Sequence, residues 1–427
     1  MGNSESSSAD PRVISATRAF TQTELEDLRS LHASIATQSQ SNGKYISPSV
    51  FKGYIGIDGP LGDRVFDLVT RKRKDQKLTF EDLVIAKGTY EKGTNEDIEK
   101  FIYQFLDVSG DGVVGRSDLE VVLTSMLDNL FHQQCPEPKA GSHKEIVKVF
   151  INAANFASDS MCFEDFQKWC RLLPAVRKYL GSLLMPLDSV GDGKAGGVEK
   201  PLDEGSQVPK LLHPDIDPSQ ILLRKEYAWH IGGAMSTTDL NEWKLLYHSS
   251  VHGLSFNTFL GNMLDGLPTV LIIKDREGCI YGGYASQPWE KHGDFYGDMR
   301  CFLFQLYPKA SIFRPTGANH NSQWCAVSFS SDSIPNGIGF GGRPNHFGLF
   351  ISANFDEGHT MACTTFGSPC LSKTSRIYTE TIECWGVVPR RGEWENPESQ
   401  VAKGTVLERF KEERHMLNMV GLANSSE

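Results

Sequence analysis

The sequence predicts a two-part chain, with a helical first half followed by a second half of mixed α and β structure. Residues 20–184 repeat apolar side chains at helical spacing. Residues 219–389 instead carry short β-type apolar runs that are punctuated by glycines and rich in aromatic side chains. The Gly-, Pro- and Asp-rich residues 185–218 between them predict a linker. The Ser-rich residues 1–19 predict a disordered N-terminus, and residues 390–427 predict a C-terminal helix and tail.

The first unit of the helical half that the pattern defines clearly is a helix, a twelve-residue loop and a second helix. Apolar residues from Ile98 to Leu106 fall on one face of a helix that Thr94 can cap. The same spacing returns after the loop, from Leu119 to Leu127. A helix, a twelve-residue loop and a helix follow the plan of an EF-hand.

Three further segments echo this unit. One helix begins at Thr21, where Thr-x-x-Glu forms a capping box. The other two echoes lie around residues 65–83 and 146–166. Their loops lack spaced carboxylates, which predicts structural units without metal. The sequence therefore predicts an EF-hand-like α domain, in which such units bury their apolar faces by pairing.

The loop from residue 107 to residue 118 carries oxygen donors at the spacing of a calcium site. Its predicted metal ligands are Asp107, Ser109, Asp111, the Val113 carbonyl and Asp118. Gly112 permits the tight turn, and Val114 suits a short β pairing with a neighbouring loop. Two departures matter: Asp118 replaces the usual glutamate, and Gly115 offers no side chain. We expect one Ca²⁺ site, with Mg²⁺ or a purely structural loop as alternatives.

The N-terminus matches the M-G-x-x-x-S pattern for myristoylation at Gly2. The alternative is a plain Ser-rich tail. One myristoyl chain gives only weak and reversible membrane attachment. We expect peripheral membrane contact at most, with a protein partner needed for stable attachment.

The overall composition is that of ordinary globular proteins. Of 427 residues, 39% are hydrophobic and 22% are charged, and the formal net charge is −10. This charge argues against nucleic acid as a partner, because phosphate binding needs a basic face. No apolar run approaches the roughly 20 residues that span a bilayer, and the N-terminus has no apolar signal region, so we do not expect secretion. The nine cysteines fit reduced thiols. We expect a cytoplasmic protein with no transmembrane segment.

A series of short motifs in the second half occurs in an order and spacing found in one known family. The series includes Trp243-Lys-Leu-Leu-Tyr247, Tyr281-Gly-Gly-Tyr284, Thr316-Gly-x-Asn319, Phe347-Gly-Leu349 and Glu383-x-Trp385-Gly386. This half resembles a TLDc domain. With the preceding EF-hand-like helices and Gly2, the chain resembles the lysosome-associated, mTOR-linked branch of that family.

The resemblance implies a fold and a function. The fold is an antiparallel β-sandwich with flanking helices, which makes the second half an α+β domain. The implied roles are oxidative-stress protection and binding of the V-ATPase, with no catalytic activity established for the fold. We therefore expect a non-enzymatic adaptor on V-ATPase subunits, either cytoplasmic or peripheral on the lysosomal or vacuolar membrane. The alternatives are a calcium sensor acting on other targets and a redox enzyme.

Several residues of the second half invite an enzymatic interpretation. His252, Ser255 and Asp275 are the residue types of a hydrolase triad, but no G-x-S-x-G elbow is present. We expect His252 to orient a turn and Ser255 to cap a helix. We predict no catalytic residues.

Two other patterns have ordinary explanations. The glycines of residues 337–342 satisfy G-x-G-x-x-G, but Pro335 and Pro344 enclose them, which favours a flexible loop over a nucleotide site. Cys363 and Cys370 are candidates for peroxide-sensitive thiols, with buried and inert cysteines as the default. A final helix over residues 405–420 either packs on the domain or binds a partner.

Overall fold

The computed structural model describes residues 11–39, 43–71, 74–132, 143–156, 159–184, 207–213, 216–263, 266–331 and 333–389. Gly2, most of the predicted linker and the predicted final helix lie outside the described residues. Among the described residues, no helix combines the length and the apolar character needed to cross a bilayer.

The first half is helical, as the apolar spacing predicts. Its helices are α1 Pro11–Arg18, α2 Gln22–Thr37, α3 Pro48–Ile55, α4 Gly59–Val69, α5 Phe80–Lys92, α6 Asn95–Leu106, α7 Arg116–His132, α8 Lys144–Ile151, α9 Phe163–Leu172 and α10 Pro174–Ser182. Thr21, Thr79 and Thr94 each cap a helix through a complete capping box. The predicted caps at Thr21 and Thr94 are thereby confirmed.

The helices from α2 to α9 form successive helix–loop–helix units that associate in two pairs. In the first pair, Ile46 and Leu78 form an antiparallel bridge between the two loops. In the second pair, strand β1 Val114–Gly115 pairs with β2 Ser160–Met161. The predicted β pairing at Val114 is thus confirmed.

Residues 11–18 correct the prediction of a disordered N-terminus up to residue 19. They form α1, and Ala16 lies against α5 at Gly88, where an added Cβ would be only 3.1 Å from the Ala16 Cβ. Phe20 is buried just after α1. A small residue facing a glycine lets two helices approach closely, and a Ser-rich composition does not reveal that contact.

The second half consists mainly of strands. These are β3 Lys210–Leu212, β4 Glu242–His248, β5 Thr269–Asp275, β6 Ile280–Ala285, β7 Phe302–Tyr307, β8 Ser311–Phe313, β9 Gln323–Ala326, β10 Gly337–Arg343, β11 His346–Ser352, β12 Glu357–His359 and β13 Arg376–Val388. Short helices accompany them: α11 Lys225–Gly232, α12 Ser249–His252 and α13 Phe256–Asn262.

The long strand β13 joins the two parts of the sheet. Its first residues pair with β12, which leads through β11 and β10 to β9. Its later residues pair with β5 and β4, and β5 leads through β6 and β7 to β8. These pairings are antiparallel, and β3 adds to β4 in parallel. The two parts pack face to face, because a Cβ added at Gly283 on β6 would meet the Phe340 ring of β10 at 2.8 Å.

The glycine run of residues 337–342 corrects the prediction of a flexible loop. It lies in β10, hydrogen-bonded to β9 on one side and β11 on the other. A Cβ at Gly337 would lie 2.1 Å from the Ile351 carbonyl oxygen of β11 and 2.7 Å from the Phe350 ring, and a Cβ at Gly339 would lie 2.8 Å from the Leu349 carbonyl oxygen. The glycines therefore make room for aromatic rings within a sheet. Among the described residues, no helix follows this run.

The buried apolar core is continuous between the helices and the sheet. One cluster includes Val176 and Leu180 of α10, Trp229 of α11, and Ile272 and Trp385 of the sheet. Gly233, at the end of α11, lies so close to α10 that an added Cβ would be 2.4 Å from the Ala175 nitrogen. The chain up to Val388 forms one compact unit.

Candidate functional site

The backbone of the predicted metal loop follows its sequence pattern. The loop lies between the end of α6 at Leu106 and the start of α7 at Arg116. Gly112, at the sixth position, has a φ of 90°, a conformation that favours glycine. Val114, at the eighth position, pairs with Met161 of the neighbouring unit.

Asp107, at the first position of the loop, is engaged by an arginine from another helix. The Arg64 guanidinium of α4 donates from Nη2 to Asp107 Oδ2 at 2.9 Å, and both side chains are largely buried, with exposures of 7% and 11%. Arg64 Nε also donates to the Gln104 carbonyl at 3.0 Å. The other oxygen, Asp107 Oδ1, accepts the Gly110 N–H at 2.8 Å. The carboxylate therefore has donors on both oxygens.

Asp118, at the twelfth position, also accepts on both oxygens. Its Oδ1 accepts the Ser109 N–H at 3.1 Å, and its Oδ2 accepts the Gly115 N–H at 3.0 Å. Asp111 Oδ1 accepts the Val113 N–H at 2.8 Å. The three carboxylates thus bind backbone N–H groups of the loop itself.

The loop side chains, as they are placed, do not fit a cation. Their oxygens have the right chemistry for Ca²⁺ or Mg²⁺. However, among the described residues no three Asp, Glu, His or Cys side chains converge closely enough to hold a metal ion. The Ca²⁺ site at Asp107, Ser109, Asp111, Val113 and Asp118 stays a prediction, as does its Mg²⁺ alternative.

The three residues of the suggested triad have separate structural roles. His252 Nδ1 accepts the His248 N–H at 3.0 Å, within the turn at α12. Ser255 Oγ accepts the Thr258 N–H and caps α13. Asp275 is buried and accepts hydrogen bonds from the Cys279 N–H and the Tyr281 hydroxyl. The expected roles of His252 and Ser255 are confirmed.

Glu383 is a buried acidic residue that anchors the backbone at Leu222 and Leu223, and functional reasoning from the sequence missed it. It lies at 0% exposure on β13 and accepts the N–H groups of Leu222 and Leu223, at 2.5 and 3.2 Å. The Trp385 indole also donates to it at 2.9 Å. Burial raises the pKa of Glu383 above its usual value. The available signal was an acidic residue within the apolar run of residues 382–388.

Comparison with known proteins accounts for this β-rich half. A family model described as the TLDc domain matches residues 216–388. These residues form a TLDc domain. The predicted resemblance to that family is confirmed.

Relatives of this chain include mTOR-associated and oxidation-resistance proteins. The MTOR-associated protein MEAK7 of Xenopus laevis is 38% identical over 192 residues, covering 44% of this chain and 40% of that protein. The human protein of that name is 33% identical over 203 residues, covering 46% and 43%. Oxidation resistance protein 1 of Rattus norvegicus is 30% identical over 180 residues, covering 42% and 20%. The matches thus span about two fifths or less of these relatives.

Most cysteines of the TLDc domain are buried. Burial raises the pKa of Cys301 and takes the pKa values of Cys325 and Cys384 to about 12. Cys363 is buried, and the partly buried Cys370 Sγ lies within 3.5 Å of the carbonyl oxygens of Thr360, Ser372 and Thr374. Redox-active cysteines need a stabilised thiolate, and the burial of Cys301, Cys325 and Cys384 disfavours one.

An open groove lies where the helical half meets the TLDc domain. It encloses about 820 Å³, and its lining includes Lys148, Asn152, Arg224, Tyr227, Lys274 and Tyr307. Nearby, His143 Nδ1 and Glu226 Oε1 lie 3.0 Å apart at ion-pair distance. Burial opposes ionisation of Glu226, but its hydrogen bonds and the neighbouring charges of His143 and Lys225 together hold the Glu226 pKa below its usual value. The groove has both polar and apolar residues in its lining and is formed by both halves together.

Proposed function

We propose that this chain is a non-enzymatic adaptor whose TLDc domain binds a protein partner, with V-ATPase subunits as that partner. We propose further that it acts in oxidative-stress resistance or in lysosomal or vacuolar signalling. The TLDc match over residues 216–388 carries the proposal. Relatives of that domain are named for mTOR association and for oxidation resistance, and the first of these names describes binding.

Two observations support a binding role for the TLDc domain. The polar side chains that resemble catalytic groups have separate structural partners: His252 in a turn, Ser255 at a helix cap and Asp275 inside the sheet. Burial raises the pKa values of the Cys301, Cys325 and Cys384 thiols, which does not favour peroxide chemistry. A peroxide-consumption assay tests the enzymatic alternative, and sustained turnover by the pure protein would establish it.

The helical half is proposed to be an EF-hand-type scaffold that orients the TLDc domain. The paired helix–loop–helix units and the short β pairings between their loops support this assignment. The shared core would transmit that orientation rigidly. Calorimetric titration with calcium tests the alternative of a calcium sensor acting on other targets.

Location in the cytoplasm, with peripheral attachment to the lysosomal or vacuolar membrane through myristoyl Gly2, is part of the same proposal. Mass spectrometry of the N-terminus of protein isolated from cells tests it. A mass increase that Gly2→Ala abolishes would support lipidation, and an unmodified glycine in the wild type would refute it. A vesicle-sedimentation assay then shows whether the lipid alone holds the protein on a membrane.

Capture of purified V-ATPase by the full chain tests the adaptor function. Wild-type protein is expected to enrich proton-pump subunits in buffers with calcium and with a chelator. Gly282→Ala is the disrupting variant, because its Cβ would lie 1.8 Å from the Leu271 carbonyl oxygen inside the TLDc sheet. Gly261→Ala is the matched control, since nothing lies within 4 Å of that Cβ.

Comparison of the wild type, Gly282→Ala and Gly261→Ala proteins distinguishes the outcomes. Capture by wild type and Gly261→Ala, with loss by Gly282→Ala, supports binding through a folded TLDc domain. Absence of proton-pump subunits from the wild-type sample in both buffers contradicts the proposed partner. Equal capture by Gly282→Ala, once circular dichroism shows that its sheet is disrupted, contradicts the assignment of binding to this domain.

A further inference from the structure

The loop of residues 107–118 has an internal positive charge where its sequence leads one to expect a bound cation. Arg64 comes from α4, in the first pair of helix–loop–helix units, whereas the loop belongs to the second pair. Its guanidinium binds Asp107 Oδ2 and the Gln104 carbonyl at the end of α6. With 7% and 11% exposure, the Arg64 and Asp107 side chains neutralise each other away from solvent.

Asp118 closes the loop from the opposite end. It is the third residue of α7, and its Oδ2 accepts the N–H of Gly115, which precedes the helix, as an acid in a capping box does. Its Oδ1 reaches the Ser109 N–H, nine residues earlier, and so spans the loop. A glutamate would carry its carboxylate one methylene further from the backbone. The shorter side chain turns a usual metal ligand into a cross-link within the loop.

The remaining loop acid is used in the same way. Asp111 accepts the Val113 N–H at 2.8 Å, and the Gly110 N–H donates to Asp107. A cation entering this loop would have to compete for Asp107 with a buried guanidinium and for Asp118 with two N–H donors. Donors of the protein itself therefore occupy the carboxylates at both ends of the loop.

We propose that this loop is closed without a metal ion, with Arg64 as its permanent counter-ion and Asp118 as its internal cross-link. The loop then serves to join the two pairs of helical units, because Arg64 lies on α4 and Asp107 follows α6. In this proposal the helical half does not respond to calcium. The adaptor function stands independently, since it concerns the TLDc domain.

Titration of the full chain with CaCl₂ and, separately, with MgCl₂ tests the proposal. Wild-type protein is expected to give no saturable heat up to about 5 mM metal, above the range of weak EF-hand-type sites. Its thermal midpoint is expected to be the same in calcium and in EGTA, because a ligand that binds the folded state would raise it. Saturable wild-type heat, or a midpoint that rises with calcium, would overturn the proposal.

Variants assign the result to Arg64. Arg64→Gln should lower the thermal midpoint in EGTA and should make the midpoint rise with calcium, because Asp107 has lost its counter-ion. Lys52→Gln is the control, since it removes the exposed Lys52–Asp63 pair of the same half, and it should do neither. An Arg64→Gln midpoint that equals the wild-type value would refute the role of Arg64.

Asp107→Asn provides a second test if Arg64→Gln does not fold. Without a metal site, this variant should lower the midpoint by the same amount in EGTA and in calcium, because it only weakens the contact with Arg64. With a metal site, its deficit would be larger in calcium than in EGTA. The second result would falsify metal-free closure.

Discussion

His230 makes the folded state sensitive to acid. It lies at 0% exposure on α11 against the Phe150 ring, and neither ring nitrogen has a hydrogen-bond partner among the described residues. Burial lowers the pKa of His230 to about 3. The unfolded chain binds a proton near pH 6.5 and the folded chain does not, so this stability is present above pH 6.5 and is lost as the pH falls toward 3.

Below the pKa that His230 has in the unfolded chain, His230 should lower the free energy of unfolding by an amount that approaches about 1.4 kcal/mol per pH unit. Urea unfolding at a series of pH values measures it. His230→Phe should make the free energy of unfolding depend less steeply on pH between about pH 6 and pH 4. His252→Phe, in the turn of the TLDc domain, is the comparison. A profile for His230→Phe as steep as the wild-type profile would contradict the argument.

Glu383 is the second residue at which chemistry decides stability. Its carboxylate accepts three N–H groups inside the protein, and a glutamine amide would turn an NH₂ group toward some of these donors. Glu383→Gln should lower the free energy of unfolding by about 2–3 kcal/mol, because buried N–H donors lose an oxygen acceptor. Glu380→Gln, which removes an exposed pair with Lys274, should change it by less than about 1 kcal/mol. Equal effects in urea unfolding would refute the anchor role.

At the residue scale, the sequence predicted the local contacts and missed the distant ones. Thr21, Thr94 and Ser255 are recognisable as caps because their partners lie three residues away. Arg64 lies 43 residues before Asp107, and no local pattern connects them. The oxygen spacing of the loop is visible in the sequence, but the direction of each carboxylate depends on α4.

At the scale of elements, the contact between α10 and α11 joins the helical half to the TLDc domain. Gly233 faces Ala175 so closely that a methyl group has no space, although its backbone is helical. Gly233→Ala should therefore lower the free energy of unfolding by about 1–3 kcal/mol through overpacking.

Gly261→Ala is the control for this prediction, because Gly261 lies on α13 with open space around its Cβ. It should be neutral or should stabilise by about 0.5 kcal/mol, since alanine reduces the freedom of the unfolded chain. Thermal unfolding of both variants provides the comparison. A Gly233→Ala variant as stable as Gly261→Ala would show that the two helices can separate without loss.

Elements were predictable where their signal is local. The bounds of α6, Asn95–Leu106, follow from apolar spacing and the Thr94 cap. Strand β10 was taken for a loop because its glycines are explained by the close approach of β11, including its aromatic rings. Helix α1 was missed because its partner, Gly88, lies on α5. In both cases the deciding contact is with a segment elsewhere in the chain.

At the scale of the whole molecule, the Gly-, Pro- and Asp-rich linker suggested two separate parts, whereas the helical half and the TLDc domain share one core. Val176 and Leu180 of α10 belong to the same buried cluster as Ile272 and Trp385 of the TLDc sheet. The Ala310 N–H also donates to the Val149 carbonyl across this contact at 3.1 Å. Composition marks where a chain changes character, but it does not show which apolar faces meet. Because the core is shared, we expect the two halves to unfold together.

Leu180→Ala tests whether the two halves unfold together. Leu180 is fully buried, so the variant should lower the free energy of unfolding by about 2–5 kcal/mol, because apolar burial is lost and a cavity is left behind. Native-state hydrogen exchange should show the same loss for amides of α6 and of β5, because one cooperative unit opens as a whole. Leu254→Ala, at a site that is 47% exposed, should leave both unchanged. If exchange accelerates in α6 while β5 keeps its wild-type protection, the helical half and the TLDc domain unfold separately, and the groove between them is a hinge and not a fixed surface.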